Sequence, residues 1–357
     1  MAKIDALFKL LRDKGGSDLH ISPGNPPLVR ISGNLAPAIP QKLRHEQNKA
    51  LVYEILTEEQ RQRFEETNDL DFAYEVPGLG ARFRANIFQG RLGLSGVFRL
   101  IPTDILTAEE LGLPPTVLRF TEYKKGLILV TGPTGSGKST TLAAMIDHVN
   151  RTRSEHILTV EDPIEFVHAS QKSLINQREV GRHTHSFASA MKAALREDPD
   201  IILVGEMRDL ETIELAITAA ETGHLVFGTL HTNSAAKTVD RIINVFPTSQ
   251  QEQIRTMLAE SLKGVIAQQL VPTVEGKRCA AMEILVATPA VSNLVREGKT
   301  FQIPSVIQTG RGEGMVLMDQ SLQELLKSRR IDNDTAYKFA LNRALFTPPQ
   351  RGGGAHG

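Results

Sequence analysis

Nine residues, Gly132-Pro133-Thr134-Gly135-Ser136-Gly137-Lys138-Ser139-Thr140, have the composition and spacing of a phosphate-binding loop. The apolar run Leu127-Ile128-Leu129-Val130 precedes them, and a helical pattern of Leu142, Met145, Ile146 and Val149 follows. Glycines let successive backbone N–H groups curl round an anion, and the helix N-terminus adds partial positive charge. In such a loop Lys138 reaches the β- and γ-phosphates, and the Ser139 hydroxyl holds Mg²⁺. The arrangement implies a nucleoside triphosphate site, with ATP and Mg²⁺ as the expected ligand and ion.

Further polar groups follow the other apolar runs. Ile157-Leu158-Thr159-Val160 leads into Glu161-Asp162-Pro163-Ile164-Glu165, and Ile201-Ile202-Leu203-Val204 into Gly205-Glu206-Met207-Arg208-Asp209. Leu225-Val226-Phe227-Gly228 leads into Thr229-Leu230-His231-Thr232-Asn233, with His224 just ahead of it. Ligands of open parallel sheets gather at the carboxyl ends of strands, so these groups are expected to converge on the loop. Phosphoryl transfer to water needs charge neutralisation by Mg²⁺ and a group that orients or deprotonates the water. Glu206, on a strand expected beside that of the phosphate loop, is assigned to Mg²⁺ and its waters. Glu161 is the first choice for activating water, Glu165 its reserve, and Asp162 shapes their loop. His231 can hydrogen-bond a γ-phosphate or report its loss; His224 could do so across a subunit boundary. Asp209 has the position of a helix N-cap.

These residues sit in a second half where apolar strands alternate with amphipathic helices, the pattern of a parallel sheet covered on both faces. Strands are expected at 127–131, 157–160, 201–204 and 225–230. Between them one helix carries Phe187, Ala190, Met191, Ala194 and Leu195, and another Leu210, Ile213, Ile217 and Ala220. After Leu230 the pattern is mainly helical: 238–246, a longer stretch from Gln250 to Leu270, then 290–296, 319–327 and 334–345.

The first half is different. Ile4, Leu7, Phe8 and Leu11 make a short amphipathic helix ended by Gly15-Gly16. Short strands follow at 18–21 and 28–31, one or two helices from Leu43 to Phe64, and strands at 69–76, 82–88 and 94–101. Together they describe a small α+β domain with an antiparallel sheet. Period two places Phe83, Ala85 and Ile87 inward and Arg82, Arg84 and Asn86 outward. Arg84 and Arg99 either line a solvated sheet face or reach a triphosphate bound by the other domain. The expected division is 1–101 for this domain, a proline-bearing linker at 102–115, the ATP-binding domain at 116–349, and a disordered tail at 350–357.

The 357 residues suffice for two cores, and hydrophobic and charged contents of 41% and 23% are those of a globular protein. Lys+Arg and Asp+Glu both total 41, which gives no support to a nucleic-acid partner. The single cysteine, Cys279, fits a reducing compartment. The N-terminus lacks a signal-peptide core and no apolar run approaches a membrane span, so a cytoplasmic location is expected.

The phosphate loop, the acidic stretch 157–165, the atypical Walker B stretch 198–209 and the histidine stretch 223–233 occur in one order. In that order they resemble the secretion ATPases that power type II secretion and type IV pili. The resemblance spans nearly the whole chain. It implies a RecA-like P-loop ATPase domain preceded by a PAS-like domain, with Arg84 and Arg99 near the γ-phosphate. It further implies a homohexamer, peripheral at the cytoplasmic face of the inner membrane, that acts on a platform protein there and indirectly on pilin.

Within the family, Thr288-Pro289-Ala290-Val291-Ser292-Asn293-Leu294-Val295-Arg296-Glu297 resembles the motif of the pilus-retracting branch, with Val291, Ser292 and Val295 replacing Ile, Arg and Ile. Residues 307–310 and 314–322 resemble that branch as well, and the tetracysteine cluster common in extension and type II motors is missing. The alternatives are an extension or secretion ATPase of the same family, a DNA-handling motor on the same core, and a nucleotide-binding regulator without turnover.

Overall fold

The computed structural model describes residues 2–348 except 32, 77 and 102–104. The expected tail at 350–357 and the first three residues of the expected linker lie outside the described residues. The chain separates into two compact units, Met1–Asp104 and Ile105–Gly357.

The first unit runs α1 (Asp5–Asp13), β1 (Asp18–Ile21), β2 (Leu28–Ile31), β3 (Asn34–Pro37), α2 (His45–Tyr53), α3 (Glu58–Thr67), β4 (Asp69–Val76), β5 (Ala81–Gly90) and β6 (Gly93–Ile101). Its strands form one antiparallel sheet in the order β3-β2-β1-β6-β5-β4. The α1 stripe of Ile4, Leu7, Phe8 and Leu11 is buried as its spacing requires. Phe8 stacks on Phe83 at 4.2 Å and meets Phe98 edge-on at 5.2 Å, so the helix is fixed to the sheet by aromatic contacts. Phe83, Ala85 and Ile87 point inward as expected, but Arg82 does not follow its period to solvent and is only 8% exposed.

The second unit runs α4 (Pro115–Arg119), β7 (Gly126–Thr131), α5 (Lys138–Thr152), β8 (His156–Glu161), β9 (Leu174–Glu179), α6 (Phe187–Ala194), β10 (Ile201–Val204), α7 (Leu210–Thr222) and β11 (Leu225–Leu230). It continues through α8 (Ala235–Asn244), α9 (Gln251–Ser261), β12 (Leu262–Pro272), β13 (Arg278–Val286), α10 (Pro289–Arg296), α11 (Ile303–Thr309), α12 (Met318–Lys327) and α13 (Asn333–Phe339). The sheet order is β13-β12-β7-β11-β10-β8-β9, parallel except for β13. β7 is buried on both faces. Leu127 and Leu129 join the core under α7, α8 and α9, while Ile128 and Val130 join the core under α5. Ala108 is buried and Leu113 packs on the second core, so the later part of the expected linker belongs to this unit. Cys279 is a buried free thiol on β13.

Three further expectations are corrected. The helix read from Gln250 to Leu270 ends at Ser261, and Leu262 to Pro272 is β12, paired in parallel with β7 and antiparallel with β13. An apolar run that is buried on both faces has no period to tell strand from helix, and here pairing with β7 decides. The strands β3, β9 and β13 were equally unforeseen. The helix read across 334–345 stops at Phe339, because the Asp319 carboxylate accepts from the N–H groups of Leu341 and Asn342 at 2.8 and 2.9 Å. Leu195, read onto the buried face of α6, is 38% exposed.

Candidate active site

The phosphate loop leaves β7 at Thr131 and enters α5 at Lys138. Gly132, Gly135 and Gly137 have φ of 147°, 77° and 86°, in the region that favours glycine. At Gly132 the approach is also close, since a Cβ would collide with the Gln268 carbonyl and the Ser136 side chain. Gln268 of β12 holds the loop in shape. Its Nε2 donates to Ser136 O at 2.7 Å, and its Oε1 accepts from Thr141 Oγ1 at 3.0 Å. Pro133, Thr134 and Gly135 are exposed, and Ser139 and Thr140 half-buried, at the start of α5. Lys138 Nζ donates to Gly132 O at 3.0 Å and Pro133 O at 3.3 Å. Burial lowers its pKa, against the opposing charges of Glu206 and Glu165.

Glu161 ends β8 and shares a cavity with Ser139, Thr159, His168 and Thr229. Thr159 Oγ1 and Gln177 Nε2 donate to its Oε1 at 2.6 and 3.1 Å. Burial pushes its carboxyl up, which the two hydrogen bonds oppose. A carboxylate with a raised pKa is a better proton acceptor, which suits a general base. Glu165, the reserve, is exposed, and its N–H approaches Glu161 Oε2 at 3.4 Å.

Glu206 lies just past β10. The strands beside the phosphate-loop strand are β11 and β12, not β10 as expected, and β10 is one place beyond β11. Glu206 nevertheless lines a cleft of about 590 Å³ with Thr134 of the loop, Arg208, His231 and Arg241. His231 Nε2 is 2.9 Å from Glu206 Oε1, and Arg208 Nε donates to the same oxygen. Burial alone would raise Glu206, but Arg208 and His231 hold its carboxyl below the usual range. Asp209 is the N-cap of α7, accepting from Thr212 N–H at 2.9 Å.

One expected residue is not gathered here. His224 precedes β11, at the end of the sheet where β7 begins, and its Nδ1 is 3.0 Å from Ala219 O. Six residues of β11 separate it from the His231 end, a span of roughly 20 Å at ~3.3 Å per residue, so it cannot serve this chain's own loop. Arg84 and Arg99 belong to the first unit, where they are register partners on β5 and β6 and both exposed.

Gln268, Gln177, Thr159 and Arg208 were not singled out from the sequence. Arg208 stands within the quoted Glu206–Asp209 run, and Thr159 is the one polar residue in the apolar run 157–160. Gln268 and Gln177 sit on β12 and β9, which the sequence pattern did not reveal.

The donor set fits Mg²⁺ bound with a nucleotide. That ion takes oxygen ligands, usually one or two carboxylates with substrate phosphates and water. Ser139 of the loop shares a cavity with the Glu161 carboxylate, and Thr134 of the loop lines a cleft with the Glu206 carboxylate.

The family described as type II/IV secretion system protein matches residues 4–338. The type IV pilus retraction ATPase PilT of Pseudomonas aeruginosa is 54% identical over 337 residues, covering 94% of this chain and 98% of its own. The twitching motility protein of Neisseria gonorrhoeae is 54% identical over 317 residues, covering 88% and 84% respectively. A crystal structure of the pilus retraction motor PilT with bound ADP superposes with a TM-score of 0.90 at 46% identity, covering 97% of this chain and 98% of that one. The likeness extends over both units, the α/β domain with its parallel sheet and the small α+β domain before it. A phosphate loop flanked by Glu161, Glu206 and His231, in a fold matched over almost its whole length, places this chain in the type II/IV secretion system protein family.

Proposed function

We propose that this chain is a Mg²⁺-dependent ATPase that works as a ring of six and converts hydrolysis into type IV pilus retraction. The observation that carries the reading is the grouping of Ser139 with Glu161 in one cavity and of Thr134 with Glu206 and His231 in the next. The near full-length relationship to a retraction ATPase supplies the direction of the work. Each residue then has a task. The loop N–H groups and Lys138 bind the β- and γ-phosphates; Ser139 and Glu206 hold the ion, which when bound neutralises charge on the transferred group. Glu161 orients the attacking water and takes its proton, with Glu165 beside it. His231, hydrogen-bonded to Glu206, is placed to feel the loss of the γ-phosphate.

In this reading Arg84 and Arg99 engage the nucleotide from the first unit, His224 acts on a neighbouring subunit, and the hinge lies in the part of the 102–115 linker ahead of Ala108, which is buried in the second unit. Phosphate release changes what these groups can bind and so moves the units. Force passes to an inner-membrane platform protein, and pilin returns to the membrane. The chain acts from the cytoplasmic face; among the described residues no helix is long and apolar enough to cross a membrane.

Surface pili counted in the source organism test this reading, with wild type set against Lys138→Ala. Excess pili with twitching lost is the expected result. Bald cells would instead make the chain an extension motor.

A further inference from the structure

We propose that Thr238 is a positioning residue for His231: its hydroxyl ties the 231–234 loop to the first turn of α8 and so holds the imidazole beside Glu206. This rests on the reading of His231 as the group that feels the γ-phosphate. Leu230, Thr131, Ala267 and Glu283 are successive register partners on β11, β7, β12 and β13, so their side chains form one row on one face of the sheet. The start of α8 is held at two members of that row. At Thr131, the Thr238 Oγ1 comes within 3.4 Å of the Thr131 hydroxyl. At Glu283, the carboxylate Oε1 accepts from the N–H of Ala235, first residue of α8, at 2.8 Å. Glu283 is 4% exposed, and the N–H of Met318, first residue of α12, acts on it as well, so the carboxylate faces the positive ends of two helices.

With the helix fixed in this way, Thr238 carries the constraint back to the loop. It is fully buried, and its Oγ1 donates to Ser234 O at 2.7 Å. Thr232 Oγ1 lies 2.7 Å from the same oxygen. A hydroxyl has one proton, so with that proton on Ser234 O the Thr238 oxygen accepts from Thr232. Thr232 in turn lines the cleft that holds Glu206, His231 and Thr134 of the phosphate loop. His231, the residue before it, is exposed and meets Glu206 Oε1 at 2.9 Å. An exposed imidazole keeps such a contact when the backbone on both sides is fixed. Leu230 fixes it from β11, and Thr232 fixes it through Thr238. Thr131 is also the residue ahead of Gly132, so the hydroxyl cluster touches the strand end from which the phosphate loop leaves.

The test is steady-state ATP turnover of the full chain, with fluorescent ADP affinity and melting temperature measured alongside. The variants are Thr238→Val, Thr238→Ser, His231→Ala and the double change of Thr238→Val with His231→Ala. Thr238→Val keeps the shape of the side chain and the helical N–H bond to Ser234 O, but leaves the Thr232 hydroxyl without its acceptor. It is expected to lose about 10- to 100-fold in kcat with ADP affinity unchanged. Thr238→Ser keeps the hydroxyl and most of kcat. The double variant turns over no more slowly than His231→Ala alone, because a residue that acts through His231 then has nothing left to act on. Normal kcat in Thr238→Val while His231→Ala is slow overturns the positioning role alone. Losses that multiply in the double variant do the same, as does a kcat loss in Thr238→Val matched by equal losses of ADP affinity and melting temperature. Normal turnover in His231→Ala overturns the role of His231 and the positioning role with it.

Discussion

Asp18 holds Arg99 through an ion pair of 2.8 Å between Oδ1 and Nε, across the register pair that joins β1 to β6. The row continues in both directions, with Arg30 opposite Asp18 and Arg84 opposite Arg99, three arginines and one acid on one face of the sheet. Like charges directly opposite each other repel, so this row is sustained by the carboxylate within it. Asp18 is 4% exposed, and Ser17 Oγ donates to its second oxygen at 2.7 Å. The pair thus anchors an exposed arginine to a buried acid.

Asp18→Asn is therefore expected to destabilise the first unit by about 1–3 kcal/mol near neutral pH, read by thermal melting. Burial would raise the Asp18 pKa, but bonds from Ser17 and Arg99 bring it below the usual carboxylate range. A carboxylate depressed on folding contributes stability above its unfolded pKa of about 4, and loses it as pH falls through the folded value. The wild type should accordingly lose its advantage over Asp18→Asn on acidification. A constant gap across that range would rule out the charge as the source.

Gln268→Leu is expected to lower stability by about 1–3 kcal/mol, because Ser136 O and Thr141 Oγ1 lose buried partners. The loop it supports should also bind ADP more weakly. Melting curves with and without ADP separate the two effects. An unchanged shift on adding ADP would mean that the loop keeps its shape without the Gln268 carboxamide.

Glu206→Gln is expected to cut ATP turnover about 100-fold or more, measured as phosphate release under saturating Mg²⁺. ADP binding should persist, since the loop is untouched. Background turnover in the parent, unaltered by the change, would favour a nucleotide-binding regulator.

His224→Ala should leave ADP affinity unchanged at dilutions where single chains prevail, since His224 sits at the far end of β11 from the loop. If it acts on a neighbour, turnover falls only where copies assemble. Weakened ADP binding in dilute single chains would contradict its placement.

The sequence by itself determined the phosphate loop, most of the parallel sheet, the antiparallel first unit and the acids and histidine at the strand ends. Each is a local signal: glycines at fixed spacing, apolar runs, and polar residues directly after them. Glu161, Glu206 and His231 could be named because parallel strands bring their carboxyl ends to one edge of the sheet whatever the strand order. The order itself was not legible, and β11 rather than β10 lies beside β7. The hairpin of β12 and β13 was lost because an apolar run buried on both faces has no period, so Gln268 went unnoticed. β9 is a polar edge strand recognisable only through its pairing with β8, and Gln177 went with it. Only tertiary structure decided these, for a physical reason. A carboxamide becomes a buttress through the donors and acceptors that other elements bring to it, at 2.7 and 3.0 Å for Gln268, and nothing in its own neighbourhood along the chain records them.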